Sequence, residues 1–261
     1  MLALLPPSEG KTAPLSGPGL DLRALSLPGL NAPRGVVLGA LTDLCRTDPE
    51  GARGVLGLSP RQAAEVARNA DLWAAPTAPA WQVYTGVLFT ALGLADCDAE
   101  TRTRLTQSTL VWSGLWGAVG LADPIPAYRL SGAVALPGPG RLASFWRGPL
   151  HDALAEIVGD QLILDLRSTT YTSSWAGPPD RTVRIRVIHD QGDRRTVASH
   201  FNKATKGRLL RALATASVDP ATKDDVVDAL NAVGFRAEPV APSEASAGRG
   251  PQLVDVVVNE L

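Results

Sequence analysis

Only two cysteines, Cys45 and Cys97, occur in 261 residues, and neither has a partner at a metal-binding or redox spacing. A disulfide framework is therefore not expected, and reduced thiols suit a cytoplasmic protein. Histidine is equally sparse: His151, His189 and His200 stand far apart, so no zinc cluster is predicted and no metal or cofactor is expected. No apolar run reaches the roughly 18 residues a membrane helix needs. The opening Met1-Leu2-Ala3-Leu4-Leu5 meets Pro6-Pro7 too soon, and without a basic flank, for a signal peptide. Neither sign of charge dominates. With a formal net charge of −1, no bulk field draws the chain to nucleic acid or membrane, and anion binding has to come from a local basic cluster.

What is present describes a globular chain: 45% hydrophobic and 20% charged residues, enough for one domain over 1–261 with its own core. Short apolar runs predict strands over 1–5, 109–118, 161–166, 181–189, 196–199 and 253–258. Helical patterns fall over 36–46, 145–158, 202–216 and 223–233, with two short helices between 48 and 69 separated by Gly57-Leu58-Ser59-Pro60. Ser59 suits an N-cap there, with Pro60 at the first helical position. Pro/Gly-rich stretches over 13–35 and 131–141 read as loops, and 237–251 as an Ala/Pro/Ser/Gly linker. Strands and helices alternate without a regular βαβ rhythm, so the expected fold is α+β, an irregular mixed sheet with surrounding helices.

Four segments carry polar chemistry. Pro6-Pro7-Ser8-Glu9-Gly10-Lys11-Thr12 follows a strand and ends like a phosphate-binding loop. The first glycine of that motif is missing, however: Leu5 stands in its place, and two prolines remove amide donors the cradle requires. What remains is Ser8 and Lys11 at a strand end, where α/β proteins place ligands. Asp165-Leu166-Arg167-Ser168 with Tyr171 leaves the strand 161–166, and the period of two lets Asp165 and Arg167 pair. From Ser199-His200-Phe201 to Arg211 the chain is rich in bases; between Arg194 and Arg211 there are six Lys/Arg and no acid. On a helix over 201–213, Leu209, Leu210 and Leu213 mark the buried stripe, with Lys203 and Lys206 on or beside it and Arg208 and Arg211 pointing away. A lysine beside an apolar stripe faces a cleft, and there it needs an anion or a carboxylate. Ser113-Gly114-Leu115-Trp116-Gly117 predicts a tight turn, and Tyr128-Arg129 downstream sets a base in an apolar context that wants an anionic partner.

Taken in order, these motifs resemble the YaaA peroxide-stress protein family. The likeness rests on Leu4 to Thr12, Tyr84-Thr85-Gly86, Trp112 to Gly117, Pro126 to Leu130, Phe145-Trp146, Asp165 to Ser168 with Tyr171, and His200 to Arg208. It implies a cytosolic bacterial protein that helps cells withstand hydrogen peroxide by limiting free iron and so oxidative damage to DNA. It also implies DNA binding and a fold with a helix-hairpin-helix element and a positively charged cleft. The hairpin would be 48–70, with Gly57 and Ser59 at its turn and Arg53, Arg61 and Arg68 supplying charge to phosphates without reading sequence. The chain departs from the better-known branch at Thr85, Val87, Gly120 and Thr170, where that branch carries charged residues.

Two functions follow as expectations. One is a DNA-associated stress protein that binds weakly and independently of sequence. The other is an enzyme or binder of a small phosphate- or carboxylate-bearing ligand. Its pocket candidates are Ser8, Lys11, Ser113, Tyr128, Arg129, Asp165, Ser168, Tyr171, Lys203, Lys206 and Arg208. In it the lysines bind the anion, Asp165 orients a group or accepts a proton, and Tyr128 donates a hydrogen bond.

Overall fold

The computed structural model describes residues 1–192, 194–197, 202–241 and 250–259. Its centre is an eight-stranded mixed sheet. In chain order the strands are β1 (Leu2–Leu5), β2 (Thr109–Ser113), β3 (Gly117–Gly120), β4 (Ile163–Asp165), β5 (Thr182–Asp190), β6 (Arg195–Val197), β7 (Arg236–Pro239) and β8 (Gln252–Val258). Across the sheet they run β7-β8-β5-β4-β1-β2-β3, with β6 pairing the far end of β5.

Leu2-Ala3-Leu4-Leu5 is an unbroken apolar run because β1 lies mid-sheet and is buried along its whole length. Parallel pairing joins β2 to β1, β1 to β4, β4 to β5 and β5 to β8. Antiparallel strands β3, β6 and β7 complete the edges, so the sheet is mixed, as the sequence predicts. β5 alternates: Val183, Ile185 and Val187 are buried on one face, while Arg184 and Arg186 lie on the other.

Two predicted loops need correction. The first helix spans Asn31–Thr47, five residues earlier than predicted, because Pro33 in its first turn removes only amides that have no helical partner. Residues 237–239, read as linker, belong to β7. Proline is tolerated on an edge strand, and Arg236 pairs with Glu238 at 2.9 Å. Residues 242–249 of that predicted linker, Asp193 and the 198–201 stretch with Ser199, His200 and Phe201 lie outside the described residues.

The order of connections fixes where a ligand can sit. From β1 the chain crosses to β2 on one side; from β4 it crosses to β5 on the other. The segments leaving these neighbouring parallel strands diverge and open a crevice over their carboxyl ends. The helix Asn202–Thr215 closes one side of it, packed on the helix Val87–Leu92 through Gly207, where an added Cβ would run into the Leu88 carbonyl oxygen.

Candidate functional site

The crevice is a cavity of about 590 Å³ whose lining includes Pro6, Arg167, Thr170, Arg184, Lys203 and Lys206. Asp165, the last residue of β4, is its electrostatic centre. The carboxylate accepts from Arg167 Nε at 2.8 Å and Nη2 at 3.0 Å, and from Arg184 Nη2 at 3.1 Å. The Asp165 and Arg167 side chains are completely buried. Burial pushes the Asp165 carboxyl up, but the hydrogen bonds and charge of Arg167, with Arg184 beside it, hold it below the usual carboxylate range. The Arg167 guanidinium lies 4.2 Å from the Trp112 ring centroid and donates to the Trp175 carbonyl at 2.9 Å. Its Nη1 is buried with no hydrogen-bond partner among the described residues.

Lys206 projects into this arrangement from the helix Asn202–Thr215. It is 6% exposed, and its Nζ donates to the Leu166 carbonyl at 3.1 Å. Burial lowers its pKa to about 8; the Asp165 charge opposes the shift and Arg184 adds to it. Lys203, one turn earlier, is exposed on the rim. Arg186 is bound by Asp255 of β8 at 2.7 Å.

Beside the crevice, the segment after β1 is held by a second polar cluster. Lys11 Nζ donates to the Ser8 carbonyl at 2.6 Å and sits 4.2 Å from the Tyr128 ring centroid. Burial brings Lys11 down to about 8, with Glu9 opposing it. Ser113 Oγ accepts the amides of Leu115 and Trp116 at 3.1 and 3.0 Å, which leaves its own proton for Tyr128 Oη at 2.6 Å. Tyr128 Oη in turn meets Tyr84 Oη at 2.9 Å. Desolvation raises both phenols, so they remain protonated. Arg129 finds its anion in Glu9 at 3.0 Å, and its backbone is clamped by the buried Asn69 side chain at 2.9 and 2.8 Å.

Comparison with known proteins agrees with this assembly of motifs. A family model described as "Peroxide stress protein YaaA" matches residues 1–240. The chain belongs to this family. A UPF0246 protein of Streptomyces coelicolor is 48% identical over 264 residues, covering both chains completely. Another from Corynebacterium efficiens is 41% identical over 91% of this chain and 95% of its own. An uncharacterized protein of Campylobacter jejuni is 30% identical over 54% of each chain.

Within this YaaA-family chain the predicted residues divide into three groups. Arg167, Ser168, Tyr171, Lys203 and Lys206 line the cavity, with Asp165 behind Arg167. The predicted Asp165–Arg167 pair is present and buried. Ser8, Lys11, Ser113, Tyr128 and Arg129 form the neighbouring cluster. There Tyr128 is fully buried, bonded to Ser113 and Tyr84, and it supports Lys11 rather than presenting its hydroxyl to the cavity. Tyr171 Oη accepts the Gly132 amide at 3.2 Å, and burial pushes the phenol up to about 12. Arg208 is not brought to the crevice: it faces a separate surface hollow with Arg211.

Two short helices, Pro49–Val55 and Ala63–Ala70, form in the 48–70 segment on either side of Gly57 at φ +64°, without by themselves making it a helix-hairpin-helix. Its turn amides are committed internally: Gly57 N–H to Gly54, Leu58 N–H to Arg53, and Ser59 N–H to the Gln62 side chain. Arg53 pairs with Glu50 and Arg68 with Glu65, whereas Arg61 is exposed.

Sequence reasoning missed Arg184, Arg186 and Asn69. The two arginines left a signal, since bases alternating with Val183, Ile185 and Val187 on a long apolar strand need a lined cleft on their face. No helix among the described residues is long and apolar enough to cross a membrane.

Proposed function

We propose that this chain serves the peroxide-stress response through anion recognition, its crevice taking a ligand that bears a phosphate or carboxylate group. The observation that carries this reading is Lys206. It is a buried ammonium beside a carboxylate already held by two guanidiniums, and it faces a cavity of ligand size. A bound anion supplies the counter-charge that Asp165 cannot give to all three cations. The test is thermal unfolding with inorganic phosphate, sulfate and acetate, in wild type and in Lys206→Met. Stabilisation that grows with anion concentration in wild type and disappears in the variant supports the reading. Equal responses in the two proteins would sink it.

DNA is the second partner reading, bound weakly and without sequence preference. Lys203, exposed on the crevice rim, favours it, whereas Arg208 is exposed on another face of the same helix. The hairpin 48–70 supports it less, because its amides and two of its three arginines have internal partners. The iron-limiting role expected of the family finds no direct ligand set among the described residues, where no group of three or more His, Cys, Asp or Glu converges. Fluorescence anisotropy on duplex DNA across a salt series discriminates the two readings. Affinity lost in Lys203→Ala but kept in Arg53→Ala/Arg61→Ala places the duplex at the crevice rim, and no binding at low salt removes the DNA reading.

A further inference from the structure

We infer that the crevice selects a phosphate monoester joined to an aromatic body of about nucleoside size, over a carboxylate and over a bare phosphate ion. This rests on the anion-recognition reading above and narrows it by charge and by shape.

The charge argument starts from the groups that meet at the end of β4. Arg167, Arg184 and Lys206 face one carboxylate, Asp165. Arg186 and the lining carboxylate Glu9 are set apart from this count by their own partners, Asp255 and Arg129. Two positive charges are therefore left without a counter-charge around Asp165, before the exposed Lys203 is considered. A carboxylate or an internal phosphodiester brings one negative charge. A phosphate monoester brings about 1.5 to 2 at neutral pH and three acceptor oxygens, which matches the charge left over.

The shape argument comes from the strand registers. Leu253 pairs with Arg184, and Val197 pairs with Ile188, which shares a face with Arg184 and Arg186 by the period of two. Val197 and Leu253 therefore flank the arginines on the crevice side. Pro6, Pro7 and Leu88 contribute further apolar lining. Val197 is 61% exposed, a large apolar residue held at a cationic crevice with nothing among the described residues packed over it. A bare phosphate ion would leave this surface in water; an aromatic body attached to the phosphate would cover it. The cavity, at about 590 Å³, has room for both parts.

This ligand chemistry has two sources, a free mononucleotide and the 5′-phosphorylated end of a nucleic-acid strand, and both carry a monoester next to a base. The experiment is isothermal titration of the full chain at pH 7. The probes are 1-naphthyl phosphate, 1-naphthoate, inorganic phosphate, AMP, and a DNA pentanucleotide with either a 5′-phosphate or a 5′-hydroxyl. Naphthyl phosphate is expected to bind about tenfold or more tighter than naphthoate or inorganic phosphate. Preference for AMP identifies the free nucleotide as the source; preference for the 5′-phosphorylated over the 5′-hydroxyl strand identifies the strand end. Val197→Ser, at an exposed position, should weaken naphthyl phosphate about fivefold and leave inorganic phosphate unchanged. Lys203→Ala, also exposed, should weaken both phosphates together. Naphthoate or inorganic phosphate matching naphthyl phosphate would overturn this inference and leave the anion reading standing. Absence of binding by every anion would overturn both.

Discussion

Replacing Asp165 by asparagine is the most direct probe of the charge arrangement. The substitution keeps the shape of the side chain but removes the single negative charge facing Arg167, Arg184 and Lys206. It also turns one acceptor oxygen into a donor aimed at a guanidinium that is 0% exposed at its side chain. Leaving a buried charge without its partner costs about 3–5 kcal/mol. A domain of ordinary stability, roughly 5–15 kcal/mol, would lose about a fifth of it at the least. Melting should fall by about 10 °C, at roughly 2–4 °C per kcal/mol for a chain of this size. The assay is urea unfolding followed by tryptophan fluorescence, since Trp112 and Trp175 flank Arg167 and report the site itself. Arg184→Met is the control: that side chain is 28% exposed, so its loss should cost about 1 kcal/mol. The pH dependence fixes the sign. Asp165 titrates below the usual carboxylate range in the folded chain, so its contribution is present above the unfolded value near pH 4 and is lost as pH falls through the folded value. Wild type and Asp165→Asn should therefore converge in acid. A loss under about 1 kcal/mol at pH 7 would refute the reasoning, because a saturated buried carboxylate cannot be removed so cheaply.

Three further outcomes are expected. Gly207→Ala forces two helix backbones apart at Leu88 and Leu92, and denaturant unfolding should show a loss of about 1–3 kcal/mol together with weaker anion binding as Lys206 shifts. Lys206 titrates at about 8 when folded and near 10.4 when unfolded, so between those values the unfolded chain holds the extra proton and stability from this residue rises with pH. Unfolding at pH 7.5 and 9.5 should show that rise in wild type and a smaller one in Lys206→Met. Asn69→Leu leaves the Arg129 amide and carbonyl without their partner, and calorimetry should register about 1–3 kcal/mol.

Much of the centre of this protein is legible in the sequence, and the reasons are local. β1, β4 and β5 announce themselves as short apolar runs, and Asp165 and Arg167 are two residues apart, close enough for the strand period to predict their pairing. Lys206 stands beside a leucine stripe that the helical period makes visible. What stays hidden depends on residues far apart in the chain. Asn69 binds a backbone sixty positions away, a contact without compositional signature. Arg34 falls in a Pro/Gly-rich stretch read as a surface loop, yet it is fully buried and donates to the carbonyls of Trp116 and Ala118. Arg208, by contrast, is misplaced as a pocket candidate against a local signal: the helical period already points it away from Lys206, by about 200° over two residues, and it faces another surface.

The position of β1 has a consequence for how the chain is made. It is synthesised before both of its neighbours, β2 and β4, which follow on the order of 100 and 160 residues later. At about 5–20 residues per second, Leu2-Ala3-Leu4-Leu5 spends roughly 10–30 s without the strands that cover it. Both of its edges and both of its faces are then open to other chains. The strand at the heart of the finished sheet is thus an adhesive segment of the nascent chain, and chaperone dependence during synthesis should track the apolar character of those four residues rather than the stability of the completed fold.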